Sequence, residues 1–208
     1  MTSYYPLLAE ARRNVLLKEY LDVNLKQAGF IDMTIEKTPL GTRLNVLALR
    51  PGLVIGPHGS SIRALMEDIS KETSLKDITV NAMEIQNPAL DPKAIALRLS
   101  NALQKGVAFR RAVTGVMNEA MGAGALGIEV KLQGKIRSER AAFQKFTEGV
   151  IPKSGFPREF YTRTAVEHIL MKMGLYGVKV TVAYKYQEEF RIKKEVEKVE
   201  SDKSNKTE

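Results

Sequence analysis

A chain of 208 residues suffices for one large domain or two small ones, and with 44% hydrophobic residues it can fill packed cores. Its 32 lysines and arginines against 24 acids leave a net charge of +8, a surplus that attracts polyanions, nucleic acid before anionic lipid. The absence of cysteine excludes disulfides, thiolate metal sites and a cysteine nucleophile, and no apolar run approaches the roughly 18 residues of a membrane span.

The start, Met-Thr-Ser-Tyr-Tyr-Pro, lacks the pattern of a signal peptide, so a soluble cytoplasmic protein is expected. Residues 7–28 then read as a helix, with Leu17, Tyr20, Leu21, Leu25 and Ala28 on one stripe and Gly29 to end it. Two strands are predicted next. One alternates Met33 and Ile35 with Thr34 and Glu36; the other spans 43–49, after a turn at Pro39-Leu40-Gly41. Beyond Arg50-Pro51-Gly52 comes VIGPHGSSIR, residues 54–63, which puts two glycines three apart. Ile62, Leu65, Met66 and Ile69 follow at i, i+3, i+4 and i+7, an amphipathic helix with Ser60 or Ser61 available as its cap. A strand with Ile78 and Val80 completes the unit, closed by Asn87-Pro88. The first half reads helix, strand, strand, short helix, glycine turn, helix, strand.

Residues 92–121 predict two helices broken near Gly106, with Ile95, Leu99, Ala102 and Leu103 on one apolar face and Phe109, Val113, Val116, Met117 and Ala120 on the other. This stretch is expected to join two domains. In the second half Ile128, Val130 and Leu132 alternate with polar residues, as do Val178, Val180 and Val182, while Gly155-Phe156-Pro157 and Gly174-Leu175-Tyr176-Gly177 read as turns. Residues 187–208 carry seven acids and six bases with little apolar content, which suggests a disordered or fraying tail and leaves the basicity with the folded body.

Glycine spacing by itself carries little: Gly56/Gly59, Gly124/Gly127 and Gly174/Gly177 share it. Only the first pair lies between two helical segments inside a strand-helix-turn-helix-strand unit. There the missing Cβ lets a phosphodiester chain approach, and the amides opening the next helix offer donors, which is how the GxxG loop of a KH module clamps single strands. GAGALG, residues 122–127, matches the dinucleotide pattern, but a helix precedes it and a strand follows, the reverse of what that site requires.

FRRAV, residues 109–113, sets Arg110 and Arg111, with Thr114 and Asn118, opposite the stripe headed by Phe109. On composition alone this is an ordinary charged helix face. Further on, Lys131, Lys135, Arg137, Arg140, Lys145, Lys153, Arg158 and Arg163 form a sustained basic stretch interleaved with Phe143, Phe146 and Tyr161, aromatics that strand and helix cores equally need. Chemistry has little support. His58 and His168 lie in different halves without metal-ligand spacing, and no pair of acids declares itself as an acid/base couple. No cofactor is expected.

TPLGTRLNVLALRPGLVIGPHGSSIRAL, VAFRRAV, GALGIEVKLQGKIRSERA and YGVKVTV, in this order and spacing, resemble the family of small-subunit ribosomal protein three, in its archaeal form, over residues 5 to about 185. The resemblance implies an α+β protein: a type II KH domain over 1–90, a second α+β domain over 91–186 and a charged flexible tail over 187–208. It implies no enzyme but a structural component of the small-subunit head, in the cytoplasmic ribosome. Its partners would be small-subunit rRNA, messenger RNA and neighbouring head proteins, with no membrane.

By the same resemblance Gly56, Pro57, His58, Gly59, Ser60 and Arg63 belong to the KH loop that meets RNA. Gly134, Lys135, Arg137 and Arg140 match the family's basic segment opening the second domain. Arg110 and Arg111 match the basic residues that face the incoming message and help unwind it, which overturns the reading from composition. Two departures stand out. The loop's centre, commonly basic, is Pro57-His58, so shape and backbone amides are expected to matter more than charge. Thr114 stands where another basic residue is frequent, so the grip on the message rests on the arginine pair. The alternatives are a free KH-type regulator of RNA, which the second domain argues against, and a lyase at damaged DNA, for which no particular lysine stands out.

Overall fold

The computed structural model describes residues 4–38, 41–73, 78–136 and 139–185. Pro39 and Leu40 of the expected turn, Arg137, and the expected tail from 187 onward lie outside the described residues. The first unit runs α1 (Tyr4–Asn24), β1 (Phe30–Thr38), β2 (Gly41–Ala48), α2 (Pro51–Ile55), α3 (Ser60–Thr73) and β3 (Ile78–Glu84). β1 and β2 pair antiparallel, whereas β2 and β3 pair parallel, Leu44 opposite Val80. Parallel neighbours need a crossover, and α2, the glycine turn and α3 supply it.

All the helices of this unit share one core. Leu17, Leu21 and Leu25 meet Leu44 and Val46 of the central strand, Val54 of α2, Leu65 and Ile69 of α3, and Val80. α1 is apolar on its outer side too, where Leu8, Val15, Leu16 and Val23 are exposed. Its C-terminus reaches the sheet through Gly29, whose φ of 72° lets the chain reverse into β1.

The second unit comprises α4 (Pro92–Gln104), α5 (Phe109–Gly122), β4 (Gly127–Gly134), β5 (Ala142–Gly149), α6 (Phe156–Tyr161), β6 (Thr162–Met171) and β7 (Gly174–Ala183). The strands form an antiparallel sheet in the order β5-β4-β7-β6. The alternation read in the sequence sends Ile128, Val130, Leu132, Val178, Val180 and Val182 to the face that α4 and α5 cover, together with Ile95, Leu99, Leu103, Val113, Met117 and Ala120. The opposite face has large exposed side chains, Phe143, Val166, Leu170 and Leu175.

α4 joins the two units. Asp91 caps it by accepting from the amides of Lys93 (2.8 Å) and Ala94 (3.1 Å), and Pro92 opens its first turn. Ile95, Leu99 and Leu103 enter the second core, while Ala94 and Leu97 pack with Ile31, Leu49 and Ile85 of the first unit. Lys93 pairs with Asp22 at 2.6 Å and lies 4.9 Å from the centre of the Phe30 ring. The Tyr184 hydroxyl donates to the Leu90 carbonyl across the same seam (3.0 Å).

Three local expectations need correction. Gly155-Phe156-Pro157 does not simply turn: Gly155, at φ 73°, precedes α6, and the proline sits in that helix's first turn, where its missing amide costs nothing. Gly174–Gly177 is strand rather than turn; Gly174 pairs with Met171, and the chain reverses at Lys172-Met173. Ser60 already has helical angles (φ −65°, ψ −44°), so α3 follows the turn directly instead of starting from a serine cap. The break at Gly106 is as expected, at φ 82° between α4 and α5.

Candidate nucleic-acid interface

α2 ends where the Gly56 amide donates to the Gly52 carbonyl (3.0 Å). Gly56 then adopts φ 71°, ψ 176°, a region that side-chain-bearing residues hardly enter. Space demands glycine as well, because an added Cβ would stand 2.2 Å from the Ser61 hydroxyl oxygen. Pro57, His58 and Gly59 close a single 3₁₀ turn, the Gly59 amide donating to the Gly56 carbonyl (3.3 Å). His58 is itself left-handed at φ 51°, the one such non-glycine residue among those described. The tip is held by backbone geometry, not by side-chain pairing.

Pro57, His58, Ser60 and Arg63 are exposed, and Ser60 and Arg63 share a helix face at i, i+3. Leu53 and Ile55 beside the turn are exposed as well, a feature missed in the sequence because they sit in an apolar run that looks like core. α2 is five residues long and buries only Val54. The turn therefore presents a small apolar margin, while the amides of Gly56, Gly59 and Ser60 are taken up by the carbonyls of Gly52, Gly56 and Pro57, contrary to the expectation that amides stand free for RNA.

A second group forms at one end of the second unit. Arg110 and Arg111 occupy the first turn of α5, both exposed. Ala108 provides no side-chain cap, and that turn has no acid. Both arginines thus add to the positive end of the helix dipole, where a stability-driven sequence would place acids. Thr114 is occupied locally, its hydroxyl donating to the Arg110 carbonyl (2.9 Å).

Phe109 lines a cleft with Leu103, Leu132, Ile136, Met171 and Tyr176, which brings the start of α5 beside the end of β4. Gly134 lies there at φ 141°, and a Cβ on it would come within 2.4 Å of the Tyr176 ring. The Tyr176 hydroxyl donates to the Lys135 carbonyl. Gly134 thus serves close packing, and Lys135 and Arg140 project into solvent after it. Arg110, Arg111 and Lys135 share this end, whereas the GPHG turn belongs to the first unit.

The remaining basic stretch divides. Lys145 and Lys153 both reach the Glu129 carboxylate, the former at 3.3 Å. Burial pushes that carboxyl up, but the hydrogen bonds and charges of the two lysines outweigh it and hold it below its ordinary range. Arg163 lies 5.8 Å from the Tyr184 ring. His168 is on β6. Among the described residues no group of His, Asp and Glu is placed to hold a metal ion, and no helix is long and apolar enough to cross a membrane.

Two family models match the chain, one described as KH domain over residues 16–90 and one as ribosomal protein S3, C-terminal domain, over residues 99–182. The chain is 39% identical over 181 residues to the small ribosomal subunit protein uS3 of Thermofilum pendens, an alignment covering 87% of this chain and 90% of that protein. It is 36% identical over 196 residues to the uS3 of Pyrobaculum islandicum, covering 91% and 90%. To the uS3 of Methanocorpusculum labreanum it is 38% identical over 182 residues, covering 88% and 79%.

Proposed function

Because this chain belongs to the ribosomal protein S3 family of small-subunit constituents, we propose that it binds small-subunit rRNA and lines the channel through which messenger RNA enters. The family is structural, not enzymatic, and its place is in the ribosome. In this reading the KH domain occupies residues 1–90, with α4 opening the second domain over 91–186 while packing on both. Gly56, Pro57, His58, Gly59 and Ser60 present a shaped, weakly charged loop to the rRNA backbone, with Arg63 one turn on. Lys135, Arg137 and Arg140 add phosphate contacts, and Gly134 shapes their turn.

The observation that supports the messenger role is the arginine pair at the uncapped start of α5. Removing two cations from a helix N-terminus stabilises a fold by about 0.3–1 kcal/mol each, so their presence there calls for a function. Small subunits reconstituted with Arg110→Gln/Arg111→Gln protein should assemble normally and translate unstructured messages at the ordinary rate, yet stall on a stable hairpin. The free variant should melt at or above the wild-type temperature. Equal rates of wild-type and variant subunits on both messages would overturn the assignment.

A further inference from the structure

We propose that the face of the second sheet turned away from α4 and α5 is a platform for an RNA backbone, built on a cross-strand row of lysines. This rests on the reading of the chain as RNA-binding. The register sets Lys145 of β5, Lys131 of β4 and Lys179 of β7 directly opposite one another on three adjacent strands. Their neighbours along each strand, Phe146, Val130, Val178 and Val180, belong to or pack against the covered core, so all three lysines point to the other face. The row continues into β6 with Val166, half exposed.

Residues paired in this way stand about 4.5–5.5 Å apart, and like charges directly opposite each other repel. Fold stability therefore disfavours this row. Neutralisation does not explain it either. At the outward positions of the four strands Glu129 is the only acid, and Lys145 and Lys153 already hold it. Among the described residues no carboxylate lies within ion-pairing distance of Lys131 or Lys179. Lys131 instead lies 5.0 Å from the centre of the Phe143 ring.

The adjacent row on the same face runs Phe143, Gln133, Gly177 and His168. Phe143 is 66% exposed, although its counterpart Phe146 packs on the core. Exposed rings next to a strip of ammonium groups, on a face with one neutralised acid, suit RNA: phosphates meet the lysines and an unpaired base lies against the ring. Lysines act here as point charges without base preference, so binding through this face is independent of sequence. The linear order shows Lys131 and Lys145 within one basic stretch but not that they stand opposite each other, and Lys179 sits outside that stretch.

The test uses the full-length protein and a transcript of the head domain of small-subunit rRNA, titrated across salt concentrations. Lys131→Gln/Lys179→Gln should weaken binding about tenfold and flatten the log–log salt slope by about 0.7–0.9 per lysine removed. Lys131→Arg/Lys179→Arg should retain both affinity and slope. The glutamine variant should melt at or above the wild-type temperature, since a repulsion has been relieved, which separates the effect from misfolding. Wild-type affinity and slope in that variant, beside a steep wild-type slope, would overturn the platform and leave RNA binding by other surfaces intact. A flat wild-type slope would remove the RNA-binding reading itself and the platform with it. Unchanged RNA binding combined with poor incorporation into reconstituted subunits would assign the face to a protein neighbour instead.

Discussion

Gly56 and Gly59 look equivalent in the sequence and differ in the fold. Gly56 combines a backbone region nearly closed to other residues with a Cβ position already filled by Ser61. Gly59 is left-handed at φ 75°, but its nearest neighbour to an added Cβ is Ile62 at 3.8 Å. Gly59→Ala should cost about 1–2 kcal/mol through conformation alone. Gly56→Ala should cost about 1–3 kcal/mol in backbone strain, and the displacement of Ser61 adds to that. Urea unfolding of the two single variants measures the difference, and a smaller loss for Gly56→Ala would contradict the geometry. The context of the GPHG turn was legible in the sequence because flanking periodicities marked it out among three identical spacings. The left-handed angle at His58 was not, since nothing in Pro57-His58 signals it.

β4 and β6 carry carboxylates whose environments pull in opposite directions. Glu129 is held below its ordinary range by Lys153 and Lys145 despite burial, so its ionised form stabilises the fold above about pH 4.5 and that contribution disappears as pH falls through its lowered pKa. Glu167 is the reverse. Burial raises it against the pull of Lys26 and Lys93, so its ionised form is a burden that grows as pH rises from about 4.5 through its raised pKa. Glu129→Gln should therefore lower the melting temperature at pH 7, and Glu167→Gln should raise it. Both differences should shrink at pH 3.5, and two shifts of the same sign at pH 7 would contradict this account.

Strands β4 and β7 were readable because one face is buried and the other is not, which imposes period two. The β6–β7 reversal was misplaced because Lys172-Met173 lacks the usual turn residues, while the glycines after it belong to a paired strand. α6 was hidden for a related reason, since proline reads as punctuation whether it ends a segment or opens a helix.

Two cores, one helix shared between them and two separate basic surfaces describe the assembled chain. The order of elements, and α4–α5 as the joint, followed from hydrophobic spacing, and the family followed from four stretches taken together. Which basic residues lie together did not follow, because that is set by register and by the packing of Phe109 against the end of β4. Arg110 and Lys135 are distant in sequence yet share one end of the second unit, and the lysine row needs three strands to exist. A protein with this distribution of charge belongs on a large polyanion, spread over several contacts rather than concentrated in one pocket.

Sedimentation of a cell extract through a sucrose gradient in moderately high salt, with the fractions probed for this protein, tests that account most directly. The protein should travel with the small ribosomal subunits at that salt concentration. If it stays at the top of the gradient as free protein while the subunits sediment intact, its role as a ribosomal constituent is contradicted.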